Sequence, residues 1–173
     1  MISDESRGKV INVSNLTEYA EMVLQTVGNL GCKIIFEPGR FISGNAGLLL
    51  TKVVRLKSNS KHNFLIVDAA MNDLMRTALY GAKHQIIPSK KNKKITNKIF
   101  EFVGPICEST DKFLTTKKFQ NIREGELIII CDVGAYGMSL SSNYNVRTLP
   151  AEILVKNSKM QVIKSRQKLS DII

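Results

Sequence analysis

Residues 37–40 read Glu37-Pro38-Gly39-Arg40 and follow directly on Lys33-Ile34-Ile35-Phe36, a short run rich in β-branched side chains. The end of a buried parallel strand is where α/β barrels place their active sites, and each residue there has a chemical use. Gly39 lets backbone N–H groups approach an anion such as phosphate, and Arg40 adds a forked cation. Glu37 could hold a protonated ring nitrogen. Further along, Arg76 and Tyr80 stand four apart, so a helix would put them on one face to grip one carboxylate. Cys107-Glu108-Ser109 comes after Gly104-Pro105; a carboxylate beside a thiol disfavours the thiolate, so Cys107 suits proton donation better than nucleophilic attack. In Gly134-Ala135-Tyr136-Gly137 the flanking glycines let Tyr136 stand clear of the backbone and donate to phosphate. Taken singly, each segment also reads as something ordinary: a solvated turn, an arginine on a tyrosine ring, an inert cysteine, a glycine-rich turn.

The elements that must position these residues can be read from periodicity. Residues 16–27 form an amphipathic helix with Thr17 as N-cap, Tyr19, Ala20, Val23, Leu24 and Val27 at helical spacing, and Gly28 and Gly31 as its stop. With the strand at 33–36 it makes one αβ unit, which cannot close a barrel by itself. Beyond Gly44 strands dominate: 48–56, 63–68, 84–87, 95–103, 126–131, 151–156 and 160–165. Ser58-Asn59-Ser60 and Asn157-Ser158 mark turns, and 72–80 is a short helix with Asp73 near its start and Gly81 as its stop. The expected fold is therefore an α/β remnant, the last unit of a TIM-type barrel, over residues 1–43. A mostly β C-terminal domain, a barrel or sandwich, follows over 44–173.

Composition sets the bounds. The 173 residues are 43% apolar and 23% charged, an ordinary globular balance for one domain or a domain with a short appendage. No apolar run reaches bilayer length, and residues 1–7 already mix Asp, Glu and Arg, so neither a membrane span nor a secretory signal is expected and the location is cytoplasmic. Cys32, Cys107 and Cys131 are unpaired in spacing, and His62 and His84 lie in unlike surroundings; a disulfide framework and a metal site are both poor expectations. The net charge of +10 raises nucleic acid as a partner. Its densest run, Lys90-Lys91-Asn92-Lys93-Lys94, lacks the arginines and aromatics of a phosphate-tracking groove and reads as a solvated loop.

In order along the chain, several segments together resemble the diaminopimelate decarboxylase family, pyridoxal-phosphate enzymes of the alanine racemase and ornithine decarboxylase fold group. They are Glu37-Pro38-Gly39-Arg40, Met71-Asn72-Asp73-Leu74, Ala78-Leu79-Tyr80-Gly81-Ala82, Gly104-Pro105, Cys107-Glu108-Ser109, Gly134-Ala135-Tyr136-Gly137, Ser141-Ser142-Asn143-Tyr144-Asn145 and Pro150-Ala151-Glu152. The resemblance runs from about residue 15 to the C-terminus.

That resemblance implies an activity, the removal of carbon dioxide from meso-2,6-diaminopimelate to give L-lysine, with pyridoxal 5'-phosphate held as a Schiff base. It implies that Glu37 keeps the pyridine nitrogen protonated, that Pro38, Gly39, Arg40 and Tyr136 line the cofactor, and that Arg40, Arg76, Tyr80 and Tyr136 contact the substrate. Glu108 would pair with the distal ammonium and Cys107 would be the proton donor. Both would reach into the partner subunit's site of a head-to-tail homodimer. Thr77 stands where the family usually has proline, Lys83 replaces a common tyrosine, and Arg147-Thr148-Leu149-Pro150 is looser than the family's arginine-proline stretch. The family's Schiff-base lysine and glycine-rich phosphate loop belong to an N-terminal barrel and have no counterpart in this sequence. The expectation is therefore a C-terminal portion that needs that barrel half. The alternative is a catalytically inactive relic or a regulatory partner of a full-length decarboxylase.

Overall fold

The structure, a computed structural model, describes residues 13–173 other than 61, 92 and 93. It contains the helices α1 (Val13–Val27), α2 (Gly39–Ser43) and α3 (Arg76–Tyr80). Its strands are β1 (Leu49–Ser58), β2 (Asn63–Val67), β3 (Ile86–Pro88), β4 (Ile95–Thr96), β5 (Phe100–Val103), β6 (Lys112–Thr116), β7 (Phe119–Gln120), β8 (Leu127–Ile130), β9 (Glu152–Lys156) and β10 (Lys159–Lys164). Two compact units result, one ending at Pro38 and the other spanning Gly39–Ile173. The sequence expectation drew its boundary after residue 43; the second unit takes in α2, and with it Gly39 and Arg40.

In the first unit α1 begins at Val13, so Thr17 lies inside the helix and is not its N-cap. The polar Ser14 and Asn15 continue the helical register instead of breaking it. Leu16, Tyr19, Leu24, Ile35 and Phe36 are all exposed, and Tyr19 meets Phe36 edge-on at 6.3 Å. The strand expected at 33–36 does not form: a strand exists only against a hydrogen-bonded neighbour, and no described residue pairs with this run.

The second unit is built on a six-stranded sheet in the order β3-β8-β1-β2-β5-β6, parallel only between β2 and β5. β1 is the spine. It pairs antiparallel with β8 (Leu49 opposite Ile130) and with β2 (Val53 opposite Val67), and a shift between Val53 and Arg55 bends it between the two ladders. One face of these strands supplies Val53, Leu65, Val67, Phe102, Ile128 and Ile130, all essentially inaccessible to solvent. Phe102 and Phe119 close the core edge-to-face, with centroids 4.8 Å apart. Two-stranded ladders, β4 with β7 and β9 with β10, complete the unit. The β9–β10 turn has Asn157 and Ser158 both left-handed, as a tight hairpin requires.

Most strands fall where alternation put them, and the differences have local causes. The run 95–103 splits into β4 and β5 because the Thr96 hydroxyl accepts from the Lys98 N–H and breaks the extended backbone. The helix expected over 72–80 shortens to α3: Asp73 accepts from the Ala70 N–H at 2.9 Å and its own N–H returns to the Ala70 carbonyl, which makes a turn of these residues. Its stop at Gly81 is as expected, with φ +60. Neither α2 nor β6 was legible. Glycine and proline hid the first, and flanking charges hid the second.

Candidate functional site

The glycine-rich turn after β8 is held by close backbone packing. A Cβ on Gly134 would sit 2.0 Å from the Ser43 carbonyl oxygen, and one on Gly47 would sit 2.5 Å from the Gly134 nitrogen. Only glycine permits that approach, and it is cemented by Gly134 N–H to the Gly44 carbonyl and Val133 N–H to the Gly47 carbonyl, both at 3.0 Å. α2 is thereby seated against the turn that carries Tyr136. The tyrosine is left-handed (φ 58) and half-exposed, and a Cβ on Gly39 would meet its hydroxyl at 3.2 Å. Gly39, Arg40 and Tyr136, far apart in sequence, thus share one locality. Glu37 and Pro38 belong to the other unit and are exposed.

A second locality forms around Asp111, a residue that sequence reasoning passed over. Its carboxylate accepts from the Met71 N–H through Oδ1 and from the Ile106 N–H through Oδ2, each at 2.7 Å. Gly104 is required beside it, because a Cβ there would lie 2.3 Å from the carboxylate. Asp111 N–H bonds the Glu108 carbonyl at 3.1 Å, and Gly104 N–H bonds the Asp111 carbonyl at 3.0 Å. One buried carboxylate therefore shapes the Cys107-Glu108 loop and ties it to the turn that precedes α3. Ala70, Met71 and Ile106 pack beneath as a small second core, with Met75 and Ala78 against it. Burial pushes the Asp111 carboxyl up from its ordinary range, against the pull of its N–H partners.

Asn72, fully buried, extends the network to a third loop. Its side-chain Nδ2 donates to the Ser142 carbonyl at 3.1 Å and its backbone carbonyl accepts from the Ser142 N–H at 3.0 Å. Arg147 then fixes Asn72. Its Nε donates to Asn72 Oδ1 at 2.9 Å, its Nη2 donates to the Asp68 carbonyl at 2.6 Å, and it lies 3.7 Å from Asp73 Oδ2. Burial raises the Asp73 carboxyl above its ordinary range despite the Ala70 N–H and this guanidinium. The stretch at Arg147, which in sequence departs from the resembled family, is structurally one of the best connected.

Cys107 and Glu108 are exposed at the tip of their loop, and the Glu108 carboxylate accepts a hydrogen bond from the Tyr144 hydroxyl. Arg76 is buried at the start of α3, whereas Tyr80 at its end is 66% exposed. The shared helix face thus runs from the core to solvent. Asn72 and Tyr144 stood inside quoted motifs without a role, and only the turn composition of Ser109-Thr110-Asp111 could have marked Asp111. A cavity of about 570 Å³ opens near Asp68, Asp73, Arg147 and Arg166; it takes in Asp73 and Pro150 of the quoted motifs but none of the residues expected to bind cofactor or substrate or to move a proton. Among the described residues, no three of His, Cys, Asp and Glu gather as a metal ion would need. No described helix is long and apolar enough to cross a membrane.

A mostly antiparallel sheet with an exposed thiol and carboxylate on one loop and a glycine-seated tyrosine on another defines the class: a β sheet domain with its polar side chains carried on connecting loops. Comparison with known proteins makes it specific. The family model described as "Pyridoxal-dependent decarboxylase, C-terminal sheet domain" matches residues 6–134, and the chain belongs to that family. It is 46% identical over 158 residues to the diaminopimelate decarboxylase of Neisseria meningitidis serogroup B, covering 91% of this chain and 38% of that relative. Among solved structures it superposes with a TM-score of 0.82 on the diaminopimelate decarboxylase of Helicobacter pylori complexed with L-lysine (38% identity, 98% of this chain, 41% of that one). The lysine decarboxylase of Selenomonas ruminantium, at 19% identity and a TM-score of 0.63 over 83% of this chain and 37% of that one, shares the fold. The chain thus spans well under half the length of the relatives it matches.

Proposed function

We propose that this chain is the C-terminal portion of a cytoplasmic diaminopimelate decarboxylase, a carboxy-lyase that converts meso-2,6-diaminopimelate to L-lysine and works as a homodimer together with an N-terminal barrel. The observation that carries this reading is the buried Asp111 carboxylate. It holds the Cys107-Glu108 loop against the turn before Arg76, so that the thiol, the carboxylate and the substrate-type arginine are set by one anchor.

The residues present fit the phosphate end of pyridoxal 5'-phosphate. Gly39 leaves open the space that a Cβ would take beneath the Tyr136 hydroxyl, and Arg40 on the same short helix offers a guanidinium. Bound there, the cofactor would supply an electron sink for the bond to carbon dioxide. Glu37, at the end of the first unit, would keep the ring nitrogen protonated. Arg76, Arg40 and Tyr80 would orient the substrate carboxylates through forked and phenolic hydrogen bonds. Glu108 would take the distal ammonium. Cys107, next to that carboxylate and exposed at its loop tip, would carry the proton delivered to the product carbon.

The test is reconstitution. The chain, joined to or mixed with the barrel half of a decarboxylase and given pyridoxal phosphate, should release carbon dioxide from meso-diaminopimelate, and Cys107→Ala should lower kcat by about two orders of magnitude or more. Absence of turnover in every combination would refute the reading.

A further inference from the structure

Glu108 has a partner on its own chain. The Tyr144 hydroxyl donates to Glu108 Oε1 from the start of a short 3-10 turn, Tyr144–Val146, and both side chains otherwise face solvent. We infer that Tyr144 is a specificity-positioning residue: its hydroxyl fixes the Glu108 carboxylate in the orientation that receives a distal ammonium. The inference rests on the function proposed above and deepens it.

An exposed glutamate with free rotamers is a poor discriminator, because ordering it on binding cancels part of what the ion pair contributes. A glutamate already held by a phenol is pre-organised, and its other oxygen, Oε2, stays outside that bond. Tyr144 can serve this way because its own backbone is anchored. Two residues before it, Ser142 exchanges backbone and side-chain hydrogen bonds with buried Asn72, and Asn72 is fixed by Arg147. Just after it, Asn145 (φ 59) and Val146 (φ 56) are both left-handed. A β-branched residue adopts that conformation only where its surroundings impose it. The loop is therefore held in a costly shape that presents the phenol to Glu108. The proton also sits on the correct side: the Glu108 carboxylate pushes the Tyr144 phenol up from its ordinary range, so tyrosine is the donor and carboxylate the acceptor.

The experiment uses the complete enzyme containing this chain, with meso-diaminopimelate and with 2-aminopimelate, which lacks the distal ammonium. Tyr144→Phe keeps the ring and removes the donor. It should raise KM for meso-diaminopimelate about tenfold, the worth of one charge-assisted hydrogen bond, leave kcat within about threefold and the thermal midpoint unchanged, and shrink discrimination against 2-aminopimelate by the same factor. In a Glu108→Gln background the same substitution should add nothing to KM. A readout without turnover is the phenol itself: the ultraviolet titration of wild type should contain an ionisation at unusually high pH that is missing in Tyr144→Phe and returns to the ordinary range in Glu108→Gln. An unchanged KM in Tyr144→Phe, or additive effects of the two substitutions, would overturn the inference while wild-type turnover leaves the proposed function standing. An inactive wild-type enzyme would instead overturn the proposed function, and this inference with it.

Discussion

Replacing Asp111 by asparagine should unsettle the loop anchor without changing its size. Asp111 satisfies two buried backbone donors at once, Met71 N–H through Oδ1 and Ile106 N–H through Oδ2, each at 2.7 Å. Asparagine has one acceptor oxygen, so one of those donors would face an amide NH2 group. A hydrogen bond to a charged acceptor contributes about 1.5–3 kcal/mol, and a buried donor left unmade costs about 1–3 kcal/mol. Against this, the variant escapes the burial of a carboxylate, a cost visible in the raised Asp111 pKa. The net expected loss is roughly 2–4 kcal/mol at neutral pH.

Linkage adds a second, signed test. Because the folded pKa of Asp111 is raised above its ordinary 3.8, the folded state binds that proton more tightly than the unfolded chain does. Its contribution to stability is therefore greatest below 3.8 and falls as pH rises through the folded pKa. Asparagine lacks that dependence, so the gap between wild type and Asp111→Asn should be wider in acid than at neutral pH. Urea unfolding followed by circular dichroism, at both pH values, measures this directly. A loss below about 1 kcal/mol would refute the idea that this side chain is the anchor, and a gap that widens with rising pH would refute the raised pKa of its carboxyl.

Further outcomes follow from the same structure. Glu101 lies 2.6 Å from both Lys112 Nζ and His62 Nδ1, and hydrogen bonds to Lys112 and then His62 lower its pKa from 4.5. Its stabilisation is therefore present above 4.5 and lost as pH falls through the folded value; Glu101→Gln should remove that part of the acid loss in melting midpoints, by less than about 1 kcal/mol because both partners are about half exposed. Gly134→Ala should cost about 1–3 kcal/mol, because its Cβ would strike the Ser43 carbonyl at 2.0 Å. In the complete enzyme it should also weaken pyridoxal phosphate binding, read by absorbance titration, as α2 moves away from Tyr136. Phe102→Ala, at a fully buried site packed on Phe119, should cost about 3–5 kcal/mol in denaturant unfolding.

Much of the sheet could be read in advance. β1, β2, β8, β9 and β10 follow alternation or a turn dipeptide, both local signals that survive without knowledge of the neighbours. The segment at 33–36 shows the reverse case. Its composition is that of a buried strand, but pairing is a property of two segments, and composition describes one. The residues proposed for the site were legible by type and order: Gly39, Arg40, Tyr136, Arg76, Cys107 and Glu108 all stand in recognisable motifs. Their supports were not, because Asp111, Asn72 and Arg147 each tie their loop to a residue 40 to 79 positions away in the chain, whatever local bonds they also make.

Sequence alone determined which side chains are available, the apolar alternation that drives a β domain, and the family to which the motifs point, since these are carried by residue identity and short spacing. Tertiary structure decided how they are used. It seated α2 against Gly134, gave Asp111 its two N–H partners, and brought Tyr144 to Glu108. The physical reason is that a hydrogen bond or a close backbone approach depends on distances of a few ångströms between segments remote in sequence, and only the folded sheet sets those distances.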